Sequence, residues 1–104
     1  SVHFDDEKIV MKLATPAGNA IVLSEDEKSL TLADQNGNKL VMDSDGIRLE
    51  SAKVVAIKAT TDTSIEAVNF SIDASAELKL EGGASAELKG GGTAKLSGAM
   101  VQIN

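Results

Sequence analysis

The feature that most constrains this chain is a short repeat running through its second half. Pairs of residues separated by a single position return at Ile47/Leu49, Val55/Ile57, Thr63/Ile65, Phe70/Ile72, Leu78/Leu80, Ala86/Leu88, Ala94/Leu96 and Val101/Ile103, in steps of 8, 8, 7, 8, 8, 8 and 7 residues. A period of two puts alternate side chains on opposite faces of a strand. Glu, Leu, Lys and Ala all favour helix, so propensity alone would make Ala74 to Asn104 helical. Length decides against it. The pieces between Gly82-Gly83, Gly90-Gly91-Gly92 and Gly98 fall short of the roughly 12–15 residues an isolated helix needs. Each repeat therefore supplies one short strand and one corner, and repetition at a short fixed period is the mark of a β-helical solenoid. The glycine triplet reads as a tight corner with unusual backbone dihedrals. ASAELK occurs twice, at Ala74 and at Ala84.

Upstream the spacing is longer. Met11/Leu13, Ile21/Leu23, Leu30/Leu32 and Leu40/Met42 follow one another at steps of 10, 9 and 10, separated by Thr15-Pro16-Ala17-Gly18-Asn19, Ser24-Glu25-Asp26-Glu27-Lys28 and Asp34-Gln35-Asn36-Gly37-Asn38. Asn-Gly between alternating apolar runs is a strong hairpin signal. The chain accordingly divides into an irregular lead-in or junction over residues 1–8, an antiparallel β-meander over 9–46 and an octad-repeat shaft over 47–104. It starts at Ser1, and the expectation is an excised or processed piece of something longer.

Composition explains how such a shaft closes. Of 104 residues none is Trp or Tyr, and Phe4 and Phe70 are the only aromatics. Many inward positions are Ala. A monomer of short strands with small inward residues would bury little area, at about 25 cal/mol per Å², which points to a core completed by other chains. A single-chain coil of three sides, with roughly three such units per turn, is possible too. Three chains wound about one axis, each supplying a side, fit the small cross-section. At about 4.8 Å per octad, eight octads give on the order of 40 Å of shaft, without exposed strand edges along it. Outward Glu and Lys can pair across chains at about 0.2–1 kcal/mol per pair.

The net charge is −6, with Lys and Glu interspersed. An acidic chain lacking aromatic platforms argues against nucleic acid. The sequence has no apolar run of 18 residues and no secretory signal pattern, and with no Cys it offers neither disulfide nor thiol chemistry. His3, the one histidine, is expected to be solvent-exposed and inert. Asp34, Asn36 and Asn38 resemble the start of a calcium loop, but Gly37 is misplaced and no Glu follows, so a hairpin turn is expected instead. The Gly90–Gly92 run lacks the Lys-Ser/Thr of a phosphate loop. No Ser/His/Asp set or singled-out carboxylate pair exists. The reading is non-enzymatic, without cofactor or metal.

The run Asp43-Ser44-Asp45-Gly46-Ile47-Arg48-Leu49-Glu50-Ser51, the octads after it and the close Gly98-Ala99-Met100-Val101-Gln102-Ile103-Asn104 resemble the C-terminal spike of VgrG proteins. These are the valine-glycine-repeat tip proteins of type VI secretion systems, related to the central spikes of contractile phage tails. Leu32–Met42 resembles the segment that precedes the spike. The resemblance implies a homotrimeric, intertwined triple-stranded β-helix or β-prism that acts as the rigid, membrane-puncturing point of a contractile injection system. It further implies larger tube-adapting hub domains upstream, a conical PAAR-repeat cap with effectors at the tip, and docking of that cap on Met100, Val101, Gln102, Ile103 and Asn104. Some phage spikes instead carry a His-x-His iron site at their own point; none occurs here, which favours a separate cap. Assembly in the cytoplasm of a bacterium (or of a phage host) and delivery to a target-cell envelope are implied too. Two rivals stand beside this reading. One is a phage tail-fibre or adhesin fragment binding a surface glycan, weakened by the lack of aromatic platforms. The other is a monomeric solenoid with calcium- or ice-binding faces, weakened by the lack of Gly-Gly-x-Gly-x-Asp repeats and of a regular Thr-x-Thr array.

Overall fold

The computed structural model describes residues 2–5 and 10–103. No helix occurs among them. The chain divides into two units, Ser1–Thr63 and Ser64–Asn104. The first is built on six strands, β1 (Val2–Asp5), β2 (Val10–Ala14), β3 (Ala20–Ser24), β4 (Ser29–Ala33), β5 (Lys39–Asp43) and β6 (Gly46–Glu50). They form one antiparallel sheet in chain order.

Turn chemistry sets this meander. The β2–β3 and β4–β5 connections share the pattern x-x-x-Gly-Asn, with Gly18 at φ 109° and Gly37 at φ 93°, a region that costs glycine nothing. In each, a side-chain oxygen on the first residue binds the Asn four positions on: Asn19 Nδ2 donates to Thr15 Oγ1 at 3.0 Å, and Asn38 Nδ2 to Asp34 Oδ2 at 2.8 Å. Between β5 and β6, Ser44 and Asp45 make a two-residue loop closed by Gly46 at φ 129°. The β3–β4 turn has Lys28 at φ 52°, and Glu27 N–H donates to Ser24 Oγ.

The register gathers the paired apolar positions into two rows on one face. One row runs Phe4, Met11, Leu23, Leu30, Met42, Ile47; the other runs Val2, Leu13, Ile21, Leu32, Leu40, Leu49. The meander over 9–46 thus gains a strand at each side. Val2–Asp5, read as irregular, is β1, because Val2 and Phe4 continue both rows opposite Leu13 and Met11. Ile47 and Leu49, read as the first octad, are in β6, because the two-residue turn brings them back against Met42 and Leu40. Ser1 and residues 6–8 of the expected lead-in, Ile9 at the start of the expected meander, and the His3 side chain lie outside the described residues.

After β6 the backbone bends at 52–53, 60–61, 68–69, 75–76, 83–84, 91–92 and 99–100. Those steps of 8, 8, 7, 8, 8 and 8 repeat the spacing of the apolar pairs, and each bend lies five residues after the first member of its pair. Between bends run segments of five or six residues. Among the described residues 51–103, no strand ladder forms within the chain. The expected run of short strands is thus present as repeat and corner, but the pairing is not supplied by this chain's own segments. Within one chain, Lys79 Nζ lies 3.4 Å from Glu77 Oε1 and Lys89 Nζ 3.7 Å from Glu87 Oε1.

The described residues form no apolar core within one chain. Among the described residues Ser24 alone is buried, and no apolar side chain is. The accessible surface is 10035 Å², whereas a compact monomer of this mass would expose about 5500 Å². Side chains of this kind, left in water, forgo about 1.5–3 kcal/mol each relative to burial.

A candidate chain–chain interface and tip

The uncovered apolar surface has two parts. In the sheet, nine of the twelve row residues are exposed, from Leu32 at 38% to Val2 at 74%, while Leu30, Leu40 and Met42 are half-buried. In the repeats, the paired positions are presented in the same way, including Val55, Ile65, Phe70, Ile72, Leu78 and Leu88. A concavity of about 630 Å³ joins the second row to the first repeat within the Ser1–Thr63 unit, lined by Leu13, Ile21, Leu32, Leu40, Leu49 and Val55 among others. The face is therefore continuous from the sheet into the first repeat.

The end of the sheet from which the repeats leave is tied by side chains. Asn19 reaches from the β2–β3 turn to the β4–β5 turn, accepting from Gln35 N–H at 3.0 Å and donating to Gln35 Oε1 at 3.1 Å. Asn38 then carries the link onward, because its Oδ1 accepts from Ala52 N–H at 2.9 Å. Ala52 opens the first bend, where Ser51 Oγ donates to the Val54 carbonyl and accepts from Lys53 N–H. Asp34 anchors this chain of contacts. Its carboxylate accepts from the backbone N–H of Asn36 and Asn38 and from both Asn side chains. Led by the Asn38 amide, these donors hold its pKa down at about 2, since a hydrogen-bonded carboxylate resists protonation. The expected hairpin turn is what Asp34, Asn36 and Asn38 form, and among the described residues no group of three His, Cys, Asp or Glu could hold a metal.

At the opposite end, Asp43 accepts from Arg48 Nη2 at 2.7 Å and from Asp45 N–H at 2.9 Å. The guanidinium, first among these causes, lowers the Asp43 pKa, and the same contact raises that of Arg48. Lys39 faces Glu50 across β5 and β6 at 3.8 Å. Lys39, Glu50 and Arg48 are solvent-exposed and Asp43 is half-buried, and such surface pairs fix side chains more than they stabilise the fold.

The corners carry a signal the sequence reading missed. The residue just before each bend is Ser51, Ala59, Ala67, Ala74, Gly82, Gly90 or Gly98, never a larger one. A Cβ on Gly82 would overlap the Ser85 carbonyl oxygen and lie 2.7 Å from its carbon; on Gly90 it would overlap the Thr93 carbonyl oxygen, 2.8 Å from its carbon. On Gly98 it would come within 3.2 Å of the Met100 oxygen. None of the glycines from Gly82 onward has positive φ. The first member of the glycine triplet thus serves by lacking a Cβ where the corner folds back, and none of the three supplies a positive φ. Gly91 and Gly92 have open space around them within the chain. The signal in the sequence is a run of seven small residues at steps of 8, 8, 7, 8, 8 and 8.

The proposed docking residues lie on the last bend and the repeat after it. Met100 and Ile103 are each 84% exposed and Val101 47%, and Gln102 is exposed; Asn104 lies outside the described residues. The structure presents these side chains together along the chain without showing what meets them.

Among curated proteins no sequence matches the chain. Residues 8–104 match the family described as the phage baseplate V C-terminal trimerisation domain, nearly the whole length. Trimerisation supplies what one chain lacks, since two further copies can cover the apolar rows and repeats. The fold is all-β, the assembly a homotrimer, and the role a structural one in a tail spike. The chain belongs to the phage baseplate V C-terminal trimerisation domain family, as the C-terminal part of a VgrG-type spike.

Proposed function

We propose that this trimer is the puncturing shaft of a type VI secretion tip, carrying a PAAR-type cap or an effector on its C-terminal end. The observation that carries the reading is the exposed apolar set Met100, Val101 and Ile103 at the last bend and repeat, in a family whose role is structural. The role is mechanical rather than catalytic: wrapped strands share a ladder, so separating one chain requires many hydrogen bonds to break together. The docking surface consists of Met100, Val101, Gln102, Ile103 and Asn104, with apolar contacts supplying affinity and the two amides orienting the cap. The trimer assembles in the cytoplasm, joins the tube through upstream hub domains, and reaches a target-cell envelope by contraction.

The test is binding of a purified PAAR-repeat protein to the trimer, followed by calorimetry. M100D/I103D is expected to abolish binding and to leave the trimer intact by light scattering. A cap that binds the double variant as tightly as the native trimer overturns the docking assignment.

A further inference from the structure

A shaft of near-equivalent octads has a problem of its own. Three identical chains can pair correctly, or one can be displaced by a whole repeat and still place apolar pairs against apolar pairs. A period that specifies local pairing leaves the global register degenerate, as in any strand with a regular side-chain pattern. The structure breaks that degeneracy at one level inside the repeats and again at their last corner. All steps between bends are eight residues except that from 68–69 to 75–76, which is seven. The short repeat is Thr63 to Asn69, with the apolar positions Thr63/Ile65 followed by Phe70/Ile72. Both the bends and the apolar pairs show the shortened step, so the residue is lost from the corner and not from the strand. Compared with Val55 to Asp62, the short repeat has no residue matching Asp62 between its bend and the next pair.

A chain displaced by one octad would set its short corner beside the full corners of its neighbours. The bend and the next apolar pair would then disagree by one residue, and an offset of one turns every side chain to the opposite face. With all three short corners at one level, no disagreement arises. The second seven-residue step, Ala94 to Val101, has the same short corner, with Val101 directly after the 99–100 bend, but only four residues follow it, so it sets no register for further repeats.

We propose that the seven-residue repeat Thr63–Asn69 is the register pin of the trimer: the specificity determinant that makes a chain accept its copies at zero offset only. The proposal rests on the wrapped-trimer reading, and the experiment separates the two. The native chain is examined by light scattering and by a ¹⁵N-edited proton spectrum, in which its nine glycines act as reporters. A threefold-symmetric trimer gives one cross-peak per glycine, nine in all. An offset trimer has three inequivalent chains and multiplies them. The first variant inserts one alanine between Asn69 and Phe70, which makes the short repeat an octad. The second adds deletion of Asp62 to that insertion, which moves the short repeat one level up the shaft.

The expected result is a trimer with extra glycine peaks for the insertion, and a return to nine for the double variant. An insertion variant that loses the trimer while the double variant keeps it also supports the pin. An insertion variant that is trimeric with nine glycine peaks overturns it, showing that the sheet alone sets the register. Extra peaks in the double variant, or loss of the trimer in both variants, overturn it as well. A native chain that is monomeric defeats the wrapped trimer itself.

Discussion

Gly90→Ala and Gly91→Ala differ by one position and are expected to have opposite effects. At Gly90 the new methyl overlaps the Thr93 carbonyl. The obstructing atom is backbone, not the end of a flexible side chain, so the corner itself must open. Overpacking of this kind costs about 1–3 kcal/mol per site. Three copies act together in a homotrimer, which makes about 3–9 kcal/mol per assembly. At Gly91 nothing in the chain lies within 4 Å of the same methyl, and the φ angle is not positive. Alanine there removes freedom from the unfolded chain and is worth about 0.4–1 kcal/mol of stabilisation. Gly82 and Gly83 repeat the contrast one octad earlier, with the Ser85 carbonyl as the obstacle. The assay is thermal unfolding by circular dichroism at fixed protein concentration, since the midpoint of an assembling protein depends on concentration. Gly90→Ala and Gly82→Ala should melt clearly below the native trimer, and Gly91→Ala and Gly83→Ala at or above it. Equal loss within either pair would refute the corner argument, because glycine content rather than the missing Cβ would then matter.

Acid should expose the Asp34 anchor. Its pKa is lowered from 3.8 to about 2 in the fold, so its contribution is complete above the unfolded value and is lost as pH falls from 3.8 through about 2. A D34N variant should be less stable at pH 7 and should show a shallower loss of melting temperature across that interval; an unchanged acid profile would contradict the assignment. Asn38→Ala removes the bonds to Asp34 and to Ala52 N–H, each worth about 0.5–1.5 kcal/mol, and should speed hydrogen exchange at Ala52 before it affects β2. Leu32→Asp places a carboxylate in the second apolar row and should prevent trimer formation, read by light scattering. By contrast, Lys79→Ala removes only an exposed pair, and its melting curve should overlay that of the native protein.

The repeat was the most legible part of this sequence, because a corner must follow every short strand and the chain marks both. Pair spacing alone placed the shortened step between Thr63 and Phe70. The hairpins were legible for a different reason: Gly18, Gly37 and Gly46 stand where positive φ is needed, and Asn-Gly signals one of them. Three things were not. Val2–Asp5 is too short to show alternation against a polar background, and its strand depends on partners in β2. The change from hairpin to repeat at Gly46–Glu50 was hidden because Ile47 and Leu49 serve both patterns, closing the sheet while beginning the octad count. The corner glycines looked like a demand for dihedral freedom, whereas the constraint is a contact with a carbonyl three residues on, which only coordinates reveal. The tip residues are in another position: sequence resemblance selected them, and their exposure makes docking possible without naming the partner.

The central claim is that residues 51–103, which form no ladder within one chain among those described, are paired between chains in the homotrimer. Hydrogen–deuterium exchange resolved along the sequence tests this most directly. The account predicts that the segments between bends, such as 54–59 and 62–67, are protected to the same order as the β3–β4 ladder, with faster exchange at the bends. Rapid exchange throughout 51–103 in a protein whose sheet is protected would contradict it.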